Sequence, residues 1–441
     1  MSTEIAPSPE SIAAEIKRKI PEGGLFAGHS WQISPDPFRI GPEAAIELEK
    51  LGRILLVFYK AVNLLYRQSI AGKQPDWVAR CLEAGKPDFL VQLQRGLAFK
   101  NDIPRVIRPD LLLTDKGFMV SELDSVPGGI GLTSWLNQTY SQFHPDIIGG
   151  ANGMQAGFKS IFPASGRVLI VVSEEAATYR PEMEYLAAQI DPDRFKVVDS
   201  NYTAFQPGDS VYRFFELFDL ANVANSSKLL GMAENKEISL TPPPKTIFEE
   251  KSLFALFWNR NLHNFWRESL GESYQKKLQA LIPYTWLIDP TPLPPQASFP
   301  ELGLTDWIHL KSLSQKQRDL IIKISGFSEN AWGARGVYLG SDLPQAEWST
   351  VVDKAIAGFE KSPHILQRYE KPKTFAASYL DEATGLLKTM QGRVRLCPYY
   401  FVEGDHDQMR ANLSGALATI CPADKKIIHG MKDAILAPTA P

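Results

Sequence analysis

The stretch Arg108-Pro-Asp-Leu-Leu-Leu-Thr-Asp-Lys-Gly-Phe-Met-Val-Ser-Glu-Leu-Asp124 constrains this chain more than any other. Residues 106–113 and 117–123 read as short strands around Asp115-Lys116-Gly117, which suits a three-residue hairpin loop with glycine at the left-handed position. That loop pairs Thr114 with Phe118, Asp110 with Glu122 and Arg108 with Asp124. Side chains alternate along a strand, so these last four share one face, and Leu111, Leu113, Met119 and Leu123 take the other. A two-residue turn would instead put Asp110 opposite Ser121. Opposed carboxylates repel, so the arrangement asks for a compensating cation. Hard oxygen ligands suit Mg²⁺, which commonly takes one or two carboxylates plus substrate phosphates. Arg108 beside them could stabilise charge on a transferring phosphoryl group. The bland alternative is a solvated hairpin in which Arg108 pairs Asp110.

Around this hairpin the chain is long, at 441 residues, so two or three packed subdomains are expected. A net charge of −3 with both signs spread throughout gives no basic footprint for nucleic acid and no polybasic membrane patch. The apolar runs at 54–59 and 168–172 are far too short to span a bilayer, and the first residues lack the pattern of a secretory signal. Cys81, Cys397 and Cys421 form neither a disulfide framework nor a zinc cluster, which suits a reducing cytoplasm. The seven histidines are scattered, against a zinc hydrolase.

The expected class is α/β (α+β). Residues 1–100 read as an N-terminal helical region, with apolar groups at helical spacing from Ala44 onward. Residues 101–165 hold the hairpin and the turn Pro127-Gly-Gly-Ile-Gly131. Strand and helix patterns alternate over 166–240 as in a small Rossmann-like subdomain with a parallel sheet. Thr241-Pro-Pro-Pro-Lys245 reads as a linker to a final region, 241–441, whose tail after Lys432 is Ala/Pro-rich and expected to fray. Within that region, residues 320–324 form an apolar strand carrying Lys323. A buried unpaired ammonium is very costly, so Lys323 must reach a partner. The glycine-rich segment that follows exposes backbone N–H groups able to wrap phosphate. Arg393 and Arg395 share a strand face that could meet phosphate or an acidic substrate, or simply water. Glu403-Gly-Asp-His-Asp407 reads as a turn rather than a metal site.

Arg108-x-Asp110, eleven residues, then Glu122-x-Asp124 and a Pro-Gly turn resembles the metal-binding strands of the circularly permuted ATP-grasp ligases, whose best-known member is glutathionylspermidine synthase. Further landmarks follow in the family's order over roughly residues 100–420. Glu249-Glu-Lys-Ser-Leu-Phe-Ala-Leu-Phe-Trp258 resembles the helix start bearing the first ATP lysine. Residues 320–338 resemble the strand with the second lysine and its glycine-rich lid, and residues 364–370 the hinge strand at the adenine edge. The resemblance implies an ATP-grasp fold in permuted order. It makes Arg108 the catalytic cation, and Asp110, Glu122 and Asp124 the Mg²⁺ ligands. Lys251, Lys323, Ser325, Gly326, Gly333, Gly336 and Gln367 become the ATP contacts. Read without it, Lys251 is a surface lysine and Gln367 part of an ordinary edge strand. This chain departs from the family in having Asp124 where asparagine is usual, Lys-Ile where Lys-Pro is usual, and a longer lid containing Trp332.

The implied activity is a carboxylate–amine ligase working through an acyl phosphate, with ATP and Mg²⁺. Its partners would be a small-molecule or peptide carboxylate and an amine acceptor, with room for a homodimer. A degenerate ATP-grasp module that binds nucleotide or a partner without turnover is the competing class. A small-metabolite kinase is a third, against which stands the lack of a Walker loop or a kinase His-Arg-Asp set.

Overall fold

The computed structural model describes residues 7–331, 335–426, 428 and 433–441. It is a mixed α/β structure built on three sheets. The largest has eight strands and runs in the order Gln32–Ile33, Ile435–Ala440, Arg410–Pro422, Leu387–Glu403, Val106–Thr114, Gly117–Asp124. Thr374–Leu380 and Phe38–Arg39 add to it beside Leu387–Glu403 and Ile435–Ala440.

The period-2 pattern of Leu387–Glu403 explains why this sheet is covered on both faces. Leu396, Tyr400 and Val402 pack against Leu51, Leu55 and Phe58 of the long helix Pro42–Ile70. Cys397, Tyr399 and Phe401 join a second core with Trp135 of helix Ile130–Tyr140 and Phe158 of helix Gly153–Ser160. Helices Asp76–Glu83 and Asp88–Arg95 follow that long helix, while Gln32–Ile33 and Phe38–Arg39 before it are strands. Among the described residues no helix is long and apolar enough to cross a membrane.

The second sheet is wholly parallel, in the order Phe195–Asp199, Val168–Val172, Ser210–Phe214, Ser239–Thr241. Every residue of Val168–Val172 is buried, as a central parallel strand requires. The third sheet is antiparallel, in the order Val337–Leu339, Leu320–Ile324, His364–Arg368, Thr285–Leu287. It packs against Trp348 of helix Gln345–Ala357.

Three expectations need correction. The hairpin turns on two residues, Asp115 and Lys116, with Thr114 opposite Gly117, whose φ is +103°. The slip this would cause is undone by a β-bulge between Asp110 and Leu111, where Ser121 is the extra residue. Asp110 still faces Glu122, and Arg108 still faces Asp124. Met119 pairs with Leu112, on the face opposite Leu111, because it lies on the turn side of that bulge. Thr241-Pro-Pro-Pro-Lys245 is no exposed linker: all five residues are buried, and the Lys245 ammonium is held by Asn63 Oδ1 and the carbonyls of Phe99 and Asp102. The tail does not fray. Ile435–Ala440 lies inside the eight-stranded sheet, with Ile435 in one core and Leu436 in the other.

Candidate active site

The hairpin carboxylates, the antiparallel sheet and the C-terminal edge of the parallel sheet line one cleft of about 470 Å³, inside the roughly 300–1,000 Å³ range of small-molecule sites. Each wall is set by strand alternation. Ile321 pairs with Leu339 and Lys323 with Val337, so these four face the cleft together. The hairpin supplies Arg108, Asp110, Glu122 and Asp124. Lys251 stands immediately before helix Ser252–Trp258, which is stapled to the lysine strand: Ser325 O accepts from Lys251 N at 2.9 Å, and Ser325 Oγ accepts from Ser252 N at 2.8 Å.

Lys251 and Lys323 therefore converge. Lys251 Nζ lies 2.7 Å from Glu122 Oε1 and donates to the Ala331 carbonyl at 3.0 Å. Lys323 Nζ donates to Gln367 Oε1 at 2.8 Å and to the Ser121 carbonyl at 2.9 Å, so the bulge residue meets the strand lysine. Burial pushes the Lys323 ammonium down to about 8. Burial opposes the charge of Lys251 too, but Glu122, with Glu216 and Asp124 beyond, holds it above the ordinary lysine value.

Arg108 bridges the hairpin, its Nη2 lying 3.0 Å from both Asp110 Oδ1 and Asp124 Oδ2. Asp110 is engaged on both oxygens, since Arg395 lies 3.3 Å from Oδ2 and Cys397 Sγ donates to Oδ1 at 3.4 Å. The Arg108–Asp110 pair of the bland reading is thus present, but buried rather than solvated. Burial raises Asp124 above the usual carboxylate range, with Glu122 and Asp110 adding to the effect and Arg108 opposing it. Glu249, also lining the cleft, is raised by burial despite its 2.8 Å pair with Arg213.

Among the described residues no group of three or more His, Cys, Asp or Glu is arranged to hold a metal ion, so the protein alone builds no cage. The donor chemistry does fit Mg²⁺ in its commoner form, one or two carboxylates completed by phosphate and water oxygens. Glu122, 40% exposed, suits that role; Asp124 beside it would share with the cation an Oδ2 that lies 3.0 Å from Arg108 and an Oδ1 that accepts from Val126 N at 2.8 Å. Asp110 suits it less, being committed to Arg108, Arg395 and Cys397.

Several expected nucleotide contacts lie outside the cleft lining. Ser325 is fully buried and donates to Glu250 while stapling the Lys251 helix, so it holds the lysine instead of facing ligand. Gln367 is buried, with its oxygen on Lys323 and its Nε2 donating to Thr285 Oγ1 at 3.0 Å, so it orients Lys323. Gly326 and Gly336 are sites of close backbone approach: an added Cβ would fall 2.5 Å from Glu249 O and from Asn330 O respectively. Gly333 lies outside the described residues. Conversely, Glu216, Asp219, Arg335 and Lys426 line the cleft although nothing in the sequence singles them out. Glu249 lines the cleft as well, and its place two residues before Lys251 is the signal in the sequence that points to it.

No protein-family model and no curated protein sequence matches the chain. Among solved structures, a glutathione synthetase-like effector from Globodera pallida shares the fold at a TM-score of 0.56 and 9% identity, over 98% of this chain and 95% of that one. A provisionally named gamma-glutamylcysteine synthetase from Methylobacillus flagellatus aligns at a TM-score of 0.41 and 12% identity, over 87% and 88%.

Proposed function

We propose that this chain is an ATP- and Mg²⁺-dependent carboxylate–amine ligase with an ATP-grasp fold in permuted order. The observation that carries the reading is the meeting of Lys251 and Lys323 with Arg108, Glu122 and Asp124 in one cleft, from segments far apart in sequence. The fold shared with a glutathione synthetase-like protein supports it. Adenine would lie on the apolar wall of Ile321, Val337 and Leu339, in a cleft that Leu112 and Ile428 also line. Lys251 and Lys323 would hold the phosphates, and Glu122 with Asp124 would hold the metal. Bound there, Mg²⁺ supplies charge neutralisation at the phosphate oxygens. A substrate carboxylate oxygen attacks the terminal phosphorus and ADP leaves; the amine nitrogen then attacks the acyl carbon, losing a proton, and phosphate leaves. Arg108 acts by stabilising charge in the phosphoryl transfer.

A non-catalytic nucleotide-binding module is favoured by one observation, that the lysine and arginine charges are already paired within the cleft. Thermal melts with and without Mg-ATP, followed by ADP release across pools of amino acids, polyamines and short peptides, separate the two. Stabilisation with release identifies the ligase, stabilisation without release the module, and the absence of any nucleotide effect sinks both.

A further inference from the structure

The turn Pro127-Gly-Gly-Ile-Gly131 joins the hairpin to helix Ile130–Tyr140. The first turn of a helix leaves backbone N–H groups without intrahelical partners, and it favours negative charge nearby. Here neither the N-cap residue, Gly129, nor the first helical turn supplies an acid. The acid comes from another helix. Glu182, on Arg180–Ile190, is 4% exposed, and its Oε1 accepts from Gly131 N at 3.1 Å. Glycine at 131 lets the two helices meet this closely: an added Cβ would fall 2.5 Å from the Glu182 carbonyl oxygen and 2.7 Å from its Cγ. Burial pushes the Glu182 carboxyl up to about 7, while the N–H groups of Gly131 and Gly129, the charge of Arg108 and the Ile130 N–H pull it down.

The other side of the turn faces Arg108. Gly128 O accepts from Arg108 Nη1 at 3.3 Å and from the Tyr399 hydroxyl at 2.8 Å. Asp110 and Asp124 both lie against Nη2, and Nε is buried without a partner. Two carboxylates on one nitrogen leave a guanidinium able to swivel about it. The Gly128 carbonyl, on a different nitrogen, fixes its plane.

We infer that Glu182 is a positioning residue: by holding the helix end of the 127–131 turn it sets the plane of the Arg108 guanidinium, and with it the charge presented to a transferring phosphoryl group. The link from Glu182 to Arg108 stands on the geometry alone; its effect on phosphoryl transfer rests on the ligase reading.

The test has two arms, both at about pH 7.5, where the carboxylate is mostly ionised. In the first, the full chain is titrated calorimetrically with Mg-ADP, with and without aluminium fluoride, which mimics the phosphoryl group in transfer. Wild type should bind ADP about 100-fold more tightly with the fluoride present. Glu182→Gln keeps the shape and an acceptor oxygen but not the charge. It should lose about tenfold of that tightening while its affinity for Mg-ADP alone stays within about twofold. Glu184→Gln, on the same helix and 56% exposed, should match wild type in both. In the second arm, urea melts of Glu182→Gln, Arg108→Lys and the double variant are compared without nucleotide; lysine keeps the charge and gives up the fork. The two effects on the unfolding constant should fall short of multiplying by about threefold or more, because each breaks the same path. Full tightening in Glu182→Gln, an equal loss of ADP and analogue affinity, or multiplicative melts would overturn the inference. A wild type that ignores Mg-ADP and aluminium fluoride while the melts stay coupled would uphold the link and remove the ligase reading. A wild type that responds, with Glu182→Gln indistinguishable from it, would do the reverse.

Discussion

Glu122 and Lys323 are the residues whose replacement says most. The hairpin spacing alone reads removal of Glu122 as relief of repulsion, but its 2.7 Å pair with Lys251 changes the sign. Glu122 is 40% exposed but Lys251 is buried, so Glu122→Ala should cost about 1–3 kcal/mol, the penalty of a buried donor left without its partner. Mg²⁺-dependent ATP turnover should fall about 100-fold or more, since both phosphate orientation and charge stabilisation suffer. Melting curves with turnover assays check this, and a variant retaining near-normal turnover would remove Glu122 from the metal site. Lys323 makes a pH prediction. Its folded pKa of about 8 lies below the ordinary 10.5, so the unfolded chain binds more protons between those values and the nucleotide-free protein gains stability as pH rises through that window. Phosphate binding needs the ammonium, so Mg-ATP affinity should weaken from pH 7 to 9. Lys323→Met should bind weakly at both and lose the trend. Titrations at the two pH values decide it.

Among the elements, strand His364–Arg368 carries a similar dependence at acid pH. Burial pushes the imidazole of His364 down to about 4 from an ordinary 6.5. Between those values the unfolded chain again binds more protons, so stability should fall as pH drops through the window, by up to about 3 kcal/mol. His364→Leu should flatten that slope in denaturant melts at pH 4.5 and 7; an unchanged slope would place the titration elsewhere. The hairpin shows what a sequence reveals about an element and what it hides. Alternation of charged and apolar residues was enough to put Arg108, Asp110, Glu122 and Asp124 on one side, but the turn was read one residue too long, and the Ser121 bulge that restores the pairing leaves no local signature. Lys251 and Lys323 are singled out by their order after the hairpin, and both line the cleft with it. Ser325 and Gln367 lie outside the cleft lining, and no local pattern says which polar groups a neighbouring element will claim, here the Ser252 amide and the Lys323 ammonium. Glu216 and Asp219 follow a parallel strand and carry no motif at all.

For the whole molecule, the eight-stranded sheet depends on a segment that composition alone dismisses. Ile435–Ala440 is entirely buried, and burying residues the size of Ile435 and Leu436 is worth about 1.5–3 kcal/mol each. Deleting residues 433–441 should therefore prevent soluble folding. Expression and melting of that truncation test this, and a soluble, cooperative product would contradict the sheet order. The same strand has a temporal consequence. It pairs in parallel with Gln32–Ile33, about 400 positions earlier, and binds Phe38–Arg39 as well. At roughly 5–20 residues per second of synthesis, residue 32 waits about 20–80 s for its partner. During that interval Trp31, Ile33 and Phe38, all buried in the finished protein, have nothing from this strand to cover them. The nascent chain is thus at its stickiest near the ribosome, where a chaperone that shields early apolar segments would raise the yield most.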